Sequence, residues 1–177
     1  MKSIALIRKE TPVSEVLKLT QPCGCAACRQ QCKYGSGFAS DDDLPKIAKH
    51  LCMDQEVMKQ QLFEKRTLLN TALHRPKTKT PQKPFGECVF FDYKRGCTIH
   101  EVKPLQCKLA MGCKEYGNDT RVWFLVNYFL NPADPQSIRE YATYLKTGGH
   151  VLGGATIENI CPNKALREQI LSYERLK

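Results

Sequence analysis

Four thiols fall inside ten residues, at Cys23, Cys25, Cys28 and Cys32, and no other feature constrains this chain as strongly. Thiols spaced C-x-C-x2-C-x3-C are close enough along the chain to share a metal ion or cluster, which they bind as thiolates. Six further cysteines, Cys52, Cys88, Cys97, Cys107, Cys113 and Cys161, are scattered over the rest of the sequence. That spread argues for sites assembled from distant segments rather than one local metal knuckle.

The length of 177 residues suits one domain covering 1–177, with its core over about 20–165. The mean hydropathy is −0.43, and no apolar run is long enough to cross a bilayer. The first residues, Met1 to Lys9, carry a short apolar patch without the sustained core and small-residue cleavage site of a secretory signal. The expected location is therefore the cytoplasm, where thiols stay reduced and serve better as metal ligands than as disulfides. The net charge of +9 could favour an anionic partner such as nucleic acid, but metal-bound thiolates would cancel part of it.

Periodicity and punctuation predict the elements. Ser40-Asp41-Asp42-Asp43-Leu44-Pro45 reads as a helix start, with a helix over about 41–51 burying Leu44, Ile47, Ala48 and Leu51. An approximate apolar stripe predicts a second helix from Gln55 to Leu73. His74 to Pro84, with three prolines and with Arg75, Lys77, Lys79 and Lys83, reads as an extended basic loop and a candidate anion-binding segment. Cys88 to Asp92 and Cys97 to His100, joined by Tyr93-Lys94-Arg95-Gly96, read as a short hairpin with a cysteine near each outer end. Pro104 opens a helix that carries Cys107. The apolar stretch Arg121 to Leu130 is core, whether strand or helix, and helices follow over about 134–146 and 163–176.

Cys52, next to Leu51 on the first helix, is expected to pack as a buried thiol. Its removal leaves Cys23, Cys25, Cys28, Cys32, Cys88, Cys97, Cys107, Cys113 and Cys161 as the ligand pool. Nine thiols are enough for two four-thiolate sites, and their irregular spacing favours iron–sulfur clusters over zinc. Cys97 and His100 form C-x2-H, which makes a mixed zinc site conceivable, yet a lone histidine after a strand is more often structural.

The order of these motifs resembles the YkgJ-like cysteine-cluster family, the CxxCxxCC zinc- or iron-chelating domain, which also includes flagellin lysine N-methylase. The resemblance rests on the first cysteine cluster, Asp41 to Ala48, Cys88 to Asp92, Cys97 to Cys107, and Cys161-Pro162. The chain departs from the pattern in lacking an adjacent cysteine pair, in carrying His100 for the usual Tyr, and in carrying Lys103-Pro104 for Arg-Pro. Lysine keeps the cation but loses the planar fork, so a bidentate carboxylate contact is not implied. The resemblance implies metal chelation. Its methylase branch implies methyl transfer to lysine, although no glycine-rich cofactor loop follows a strand here.

The expected fold is α+β and mainly helical, a small metal-stapled domain with a short β-hairpin. The expected function is that of an iron–sulfur protein with one or two 4Fe–4S clusters, acting in electron transfer or cluster-dependent modification with a protein redox or substrate partner. The alternatives are a zinc-stabilised RNA- or protein-binding module and a lysine methyltransferase. No catalytic residue is assigned and no membrane partner is expected.

Overall fold

The computed structural model describes residues 6–20, 25–81, 83, 85–110 and 116–172. Nine α-helices and two two-stranded sheets occur among them, so the α+β, mainly helical class is the one observed. The described residues gather into two compact units. The first comprises Met1–Val16, Thr67–Thr71 and Asn118–Lys177, and the second Leu17–Arg66 and Ala72–Gly117.

The second unit carries α2 (Ala26–Gln31), α3 (Asp43–His50) and α4 (Gln55–Leu62), together with most of β1 (Phe63–Leu68) and β2 (Thr71–Pro76). It also holds β3 (Phe91–Asp92), β4 (Gly96–Cys97) and α5 (Leu105–Leu109). Its core joins Leu44, Ile47 and Ala48 of α3, Met58 of α4 and Phe63 to Phe90, Phe91 and Ile99, with Leu51 packed alongside. Cys88 lies inside this apolar cluster, and Cys32 and Cys97 pack against it.

The predicted helix over 55–73 is corrected. It ends at Leu62, and β1 and β2 form a hairpin in its place. The two connecting residues, Leu69 and Asn70, both take left-handed backbone, φ 48° and 57°, which matches the twist of a two-residue hairpin turn. Asparagine tolerates that region; leucine does not, but Leu69 is buried, which offsets the strain. Glu64 on β1 pairs with Arg75 on β2 at 2.8 Å, an attraction between strands that a helix over these residues would not make. The predicted hairpin at 88–100 is present as β3 and β4, antiparallel, with Phe91 opposite Cys97. Asp92 Oδ1 closes its turn by accepting from the N–H of Lys94 and of Arg95, and Gly96 supplies a φ of 81°.

The first unit centres on α7 (Pro135–Lys146), which packs against α8 (Ile157–Ile160) and α9 (Lys164–Leu171). The stretch left open between strand and helix is helical: α6 (Gly117–Phe124) runs into one π-helical turn at Leu125–Phe129. Val122, Trp123, Phe124, Val126 and Phe129 are buried there, as expected of core. Tyr141 on α7 is fully enclosed and donates its hydroxyl to the Ala155 carbonyl at 2.6 Å. No helix among the described residues is long and apolar enough to cross a membrane.

Candidate metal centre

Three separate segments of the second unit carry thiols to one place. Cys32 caps the C-terminal end of α2, and its carbonyl accepts the Cys88 N–H at 2.9 Å, so the first cluster and the segment before β3 are tied backbone to backbone. Cys97 closes β4, and Thr98 N–H donates to the Phe90 carbonyl at 2.8 Å, which keeps Cys97 beside the Cys88 segment. Cys107 lies in the first turn of α5, as predicted. Its sulfur accepts the Gly37 N–H at 3.2 Å.

That last approach demands glycine. A Cβ on residue 37 would stand 2.7 Å from Cys107 Sγ and 2.8 Å from its backbone nitrogen. The neighbouring residues hold the same seam, since Phe38 N–H donates to Gln106 Oε1 at 2.9 Å and Gln106 N–H to the Phe38 carbonyl at 3.2 Å. Asp43 anchors the other side. Its buried Oδ2 accepts from Ser40 N–H, Ser40 Oγ and Leu105 N–H, each at 2.8 Å, while Lys108 Nζ stands 3.5 Å from Oδ1. The first turn of α3 thus fixes the first turn of α5, where Cys107 projects.

The thiols of Cys32, Cys88, Cys97 and Cys107 sense one another in all six pairings. Burial raises the pKa of all four, pushing Cys88 up to about 12, and the approach of the other thiols raises Cys32, Cys88 and Cys107 further. Backbone hydrogen bonds work in the opposite direction, from Phe90 to Cys88, from Ile99 to Cys97 and from Gly37 to Cys107. Such donors stabilise the thiolate, the form that binds metal. No three His, Cys, Asp or Glu side chains among the described residues already converge within one ion's coordination sphere. Four thiols at electrostatic range, set against an apolar core and supplied with N–H donors, are nonetheless a donor set that fits zinc or iron.

The predicted pool has five further members. Cys25 caps the N-terminal end of α2 and Cys28 lies within it, so Cys25, Cys28 and Cys32 recur at the spacing of one helix face. Cys161 is buried in the first unit at the end of α8, its sulfur 4.0 Å from the Asn163 carbonyl. Cys23 and Cys113 lie outside the described residues. Cys52, expected to be buried, is exposed. It ends α3 in left-handed backbone with φ 53°, which turns its side chain outward from the core face.

Of the basic segment, Arg75 is engaged by Glu64, Lys77 donates to the Gln60 and Gln61 carbonyls at the end of α4, and Lys79 donates to the Phe91 carbonyl at 2.8 Å. Lys83 makes no such contact among the described residues. His100 follows β4 in a turn, its N–H on the Cys97 carbonyl at 3.2 Å, and burial followed by the Lys103 charge lowers its pKa. No role is assigned from the sequence to Gly37, and none to Asp43 beyond its helix. Neither contact has a local signal, because the partners stand more than 60 residues away.

Comparison with family models gives a match over residues 24–123 to CxxCxxCC, described as "Putative zinc- or iron-chelating domain". The match covers the α2 thiols from Cys25 onward and all four thiols brought together here; Cys161 lies beyond it. Comparison with curated proteins and with solved structures found no match. More than half of the chain is covered by a family defined by its cysteines, and the chain belongs to that CxxCxxCC family of zinc- or iron-chelating domains.

Proposed function

We propose that this metal-binding protein is an iron–sulfur protein whose principal cluster is held by Cys32, Cys88, Cys97 and Cys107. The observation that carries the reading is the mutual approach of these thiols with N–H donors directed at three of them. The reaction it supports is electron transfer or a modification that depends on the cluster. When bound, a cluster supplies one-electron chemistry, and its potential follows from hydrogen bonds to the sulfurs and from exclusion of water. The chain's own part is to supply both: the Gly37, Phe90 and Ile99 backbone groups address sulfur, and Phe90, Phe91 and Ile99 exclude solvent. Cys23, Cys25, Cys28, Cys113 and Cys161 remain further candidate ligands.

Protein purified without oxygen tests this directly. Iron with an equal amount of acid-labile sulfide and a brown colour is expected; stoichiometric zinc with no sulfide would overturn it.

A zinc-stabilised RNA-binding module is the second reading, because four thiolates are also the closed donor set of structural zinc. It draws on exposed Tyr34, Phe85 and Tyr93 in the same unit, with Lys33 Nζ 5.6 Å from the Tyr93 ring centre. Exposed rings beside cations suit stacked bases and phosphates. Salt-sensitive retention of single-stranded RNA that Tyr34→Ala and Tyr93→Ala abolish would support it, and salt-independent or absent retention would end it. Lysine methyl transfer rests on the family resemblance, and failure to bind S-adenosylmethionine would remove it.

A further inference from the structure

Arg29 reaches from α2 to the turn of the β3–β4 hairpin. A Cβ on residue 96 would stand 3.3 Å from its Nε and 3.7 and 3.8 Å from its Cγ and Cδ, so its side chain lies against a buried glycine. Lys33, one turn further along the chain, makes the same crossing and sets Nζ 5.6 Å from the Tyr93 ring centre. Both bridges join segments that carry thiols of the metal centre: Cys32 stands between Arg29 and Lys33, and Cys97 follows Gly96 in β4. Both thiols are half-buried. Lys94 and Arg95, both exposed, complete the turn. The carboxylates at this edge are already engaged. Asp92 accepts the N–H groups of Lys94 and Arg95 and stands 3.9 Å from Arg95 Nε, while Glu87 takes the Tyr93 hydroxyl and faces Lys79 at 3.5 Å. Arg29, Lys33 and Lys94 have no carboxylate within ion-pair distance among the described residues, whereas Arg66, Arg75, Lys79 and Lys108 of the same unit each have one. Tyr93 is 69 % exposed among these cations. Tyrosine and arginine anchor protein interfaces, and uncompensated charge selects a partner of opposite sign.

We propose that this basic edge, formed by Arg29, Lys33, Tyr93, Lys94 and Arg95, is where a redox partner protein docks through an acidic patch to take one electron from the reduced centre. The inference rests on the electron-transfer reading and adds the face used and the chemistry of the partner. The electron that the centre loses is the one that the partner's acceptor gains, and no bond or proton changes hands. Carboxylates of the partner meet guanidinium and ammonium groups held between the segments of Cys32 and Cys97, which brings the acceptor up to the centre on that side. Lys33 already stands over the Tyr93 ring, which favours a carboxylate partner at this edge over a stacked base.

Two small oxidants of opposite charge are the probes. Full-length protein, purified without oxygen and reduced with dithionite, is mixed with ferricyanide or with hexaammineruthenium(III), each of which takes one electron. The ionic strength is about 0.1 M, where exposed charges more than about 10 Å away are screened. Wild type is compared with Arg29→Gln/Lys33→Gln/Lys94→Gln and with an equal-charge control on α6, α7 and α9, Arg121→Gln/Lys146→Gln/Lys164→Gln. Binding of fluorescent polyglutamate and of fluorescent oligouridylate is measured on the same proteins. The edge variant should react about tenfold more slowly with ferricyanide, faster with the ruthenium cation, and bind polyglutamate about tenfold more weakly. The control should stay within about twofold of wild type in each. Metal content should match wild type in every form; if the triple variant loses metal, Arg29→Gln and Lys94→Gln singly should each slow ferricyanide about twofold. Equal effects in edge and control variants, or weakened oligouridylate binding with polyglutamate binding unchanged, overturn the proposal while leaving the centre standing. Wild type without iron and sulfide, its spectrum unchanged by either oxidant, overturns the electron-transfer reading and the inference with it.

Discussion

Replacing Gly37 by alanine probes the seam that seats Cys107. The added methyl would lie 2.7 Å from Cys107 Sγ, 2.8 Å from its backbone nitrogen and 3.2 Å from the Gln106 carbonyl carbon. Two of these atoms are backbone, so no side-chain rotation relieves the clash. Either the loop at Gly37 or the first turn of α5 must move. Overpacking of this kind costs about 1–3 kcal/mol, and displacement of the Gly37 N–H from sulfur adds about 1 kcal/mol. The sum, about 2–4 kcal/mol, corresponds to a urea midpoint lower by about 1–2 M at ordinary slopes. Loaded protein should also hold its metal less tightly, because the shift carries Cys107 away from the other thiols. Gly35→Ala is the control, with nothing within 4 Å of its added Cβ, and should stay within about 0.5 kcal/mol of wild type. A Gly37→Ala midpoint within about 0.3 M of wild type, with metal content unchanged, would refute the reasoning.

Asp43→Asn should lower stability by about 2–4 kcal/mol and reduce metal retention, because a buried carboxylate that accepts three hydrogen bonds and faces Lys108 becomes a partly mismatched amide; thermal unfolding and metal analysis report it. Tyr141→Phe should cost about 1–2 kcal/mol through the orphaned Ala155 carbonyl yet leave the metal of the principal centre in place, and loss of that metal would contradict a centre built from thiols of the second unit. Metal-free protein should lose stability as pH rises above about 9. Folded Cys88 keeps its proton until about 12 while the unfolded chain releases it near 9.0, so the unfolded state binds fewer protons. The slope is about 1.4 kcal/mol per pH unit for this thiol alone, and a flat urea midpoint from about pH 8 to about pH 10.5 would contradict it.

Signals that are local in sequence survived folding. The Asp42-Asp43-Leu44-Pro45 helix start, the Tyr93 to Gly96 turn and the helix opened by Pro104 are set by neighbouring residues, and each is found where the sequence places it. Phe63 to Pro76 was misread because Leu62, Leu69 and Leu73 recur at helical spacing and Glu64, Lys65 and Arg66 are good helix formers. Strand pairing and the Glu64–Arg75 attraction decide otherwise, through a Leu-Asn turn that carries no glycine to announce it. Cys52 was misjudged by one position on its helix: Leu51 packs on the core, and the left-handed residue after it does not. The thiols are legible as candidate ligands from residue type and crowding alone. Which of them meet is not, since Cys32, Cys88, Cys97 and Cys107 are joined by the backbone bonds at Cys32, Phe90 and Gly37, which link segments far apart in the chain.

Metal content per chain across single cysteine-to-serine variants, all purified without oxygen, tests the central claim most directly. Cys32→Ser, Cys88→Ser, Cys97→Ser and Cys107→Ser should each lose the metal of the principal centre, and Cys52→Ser should retain the wild-type amount. Wild-type metal content in any one of the first four, with the protein folded, would contradict the proposed ligand set.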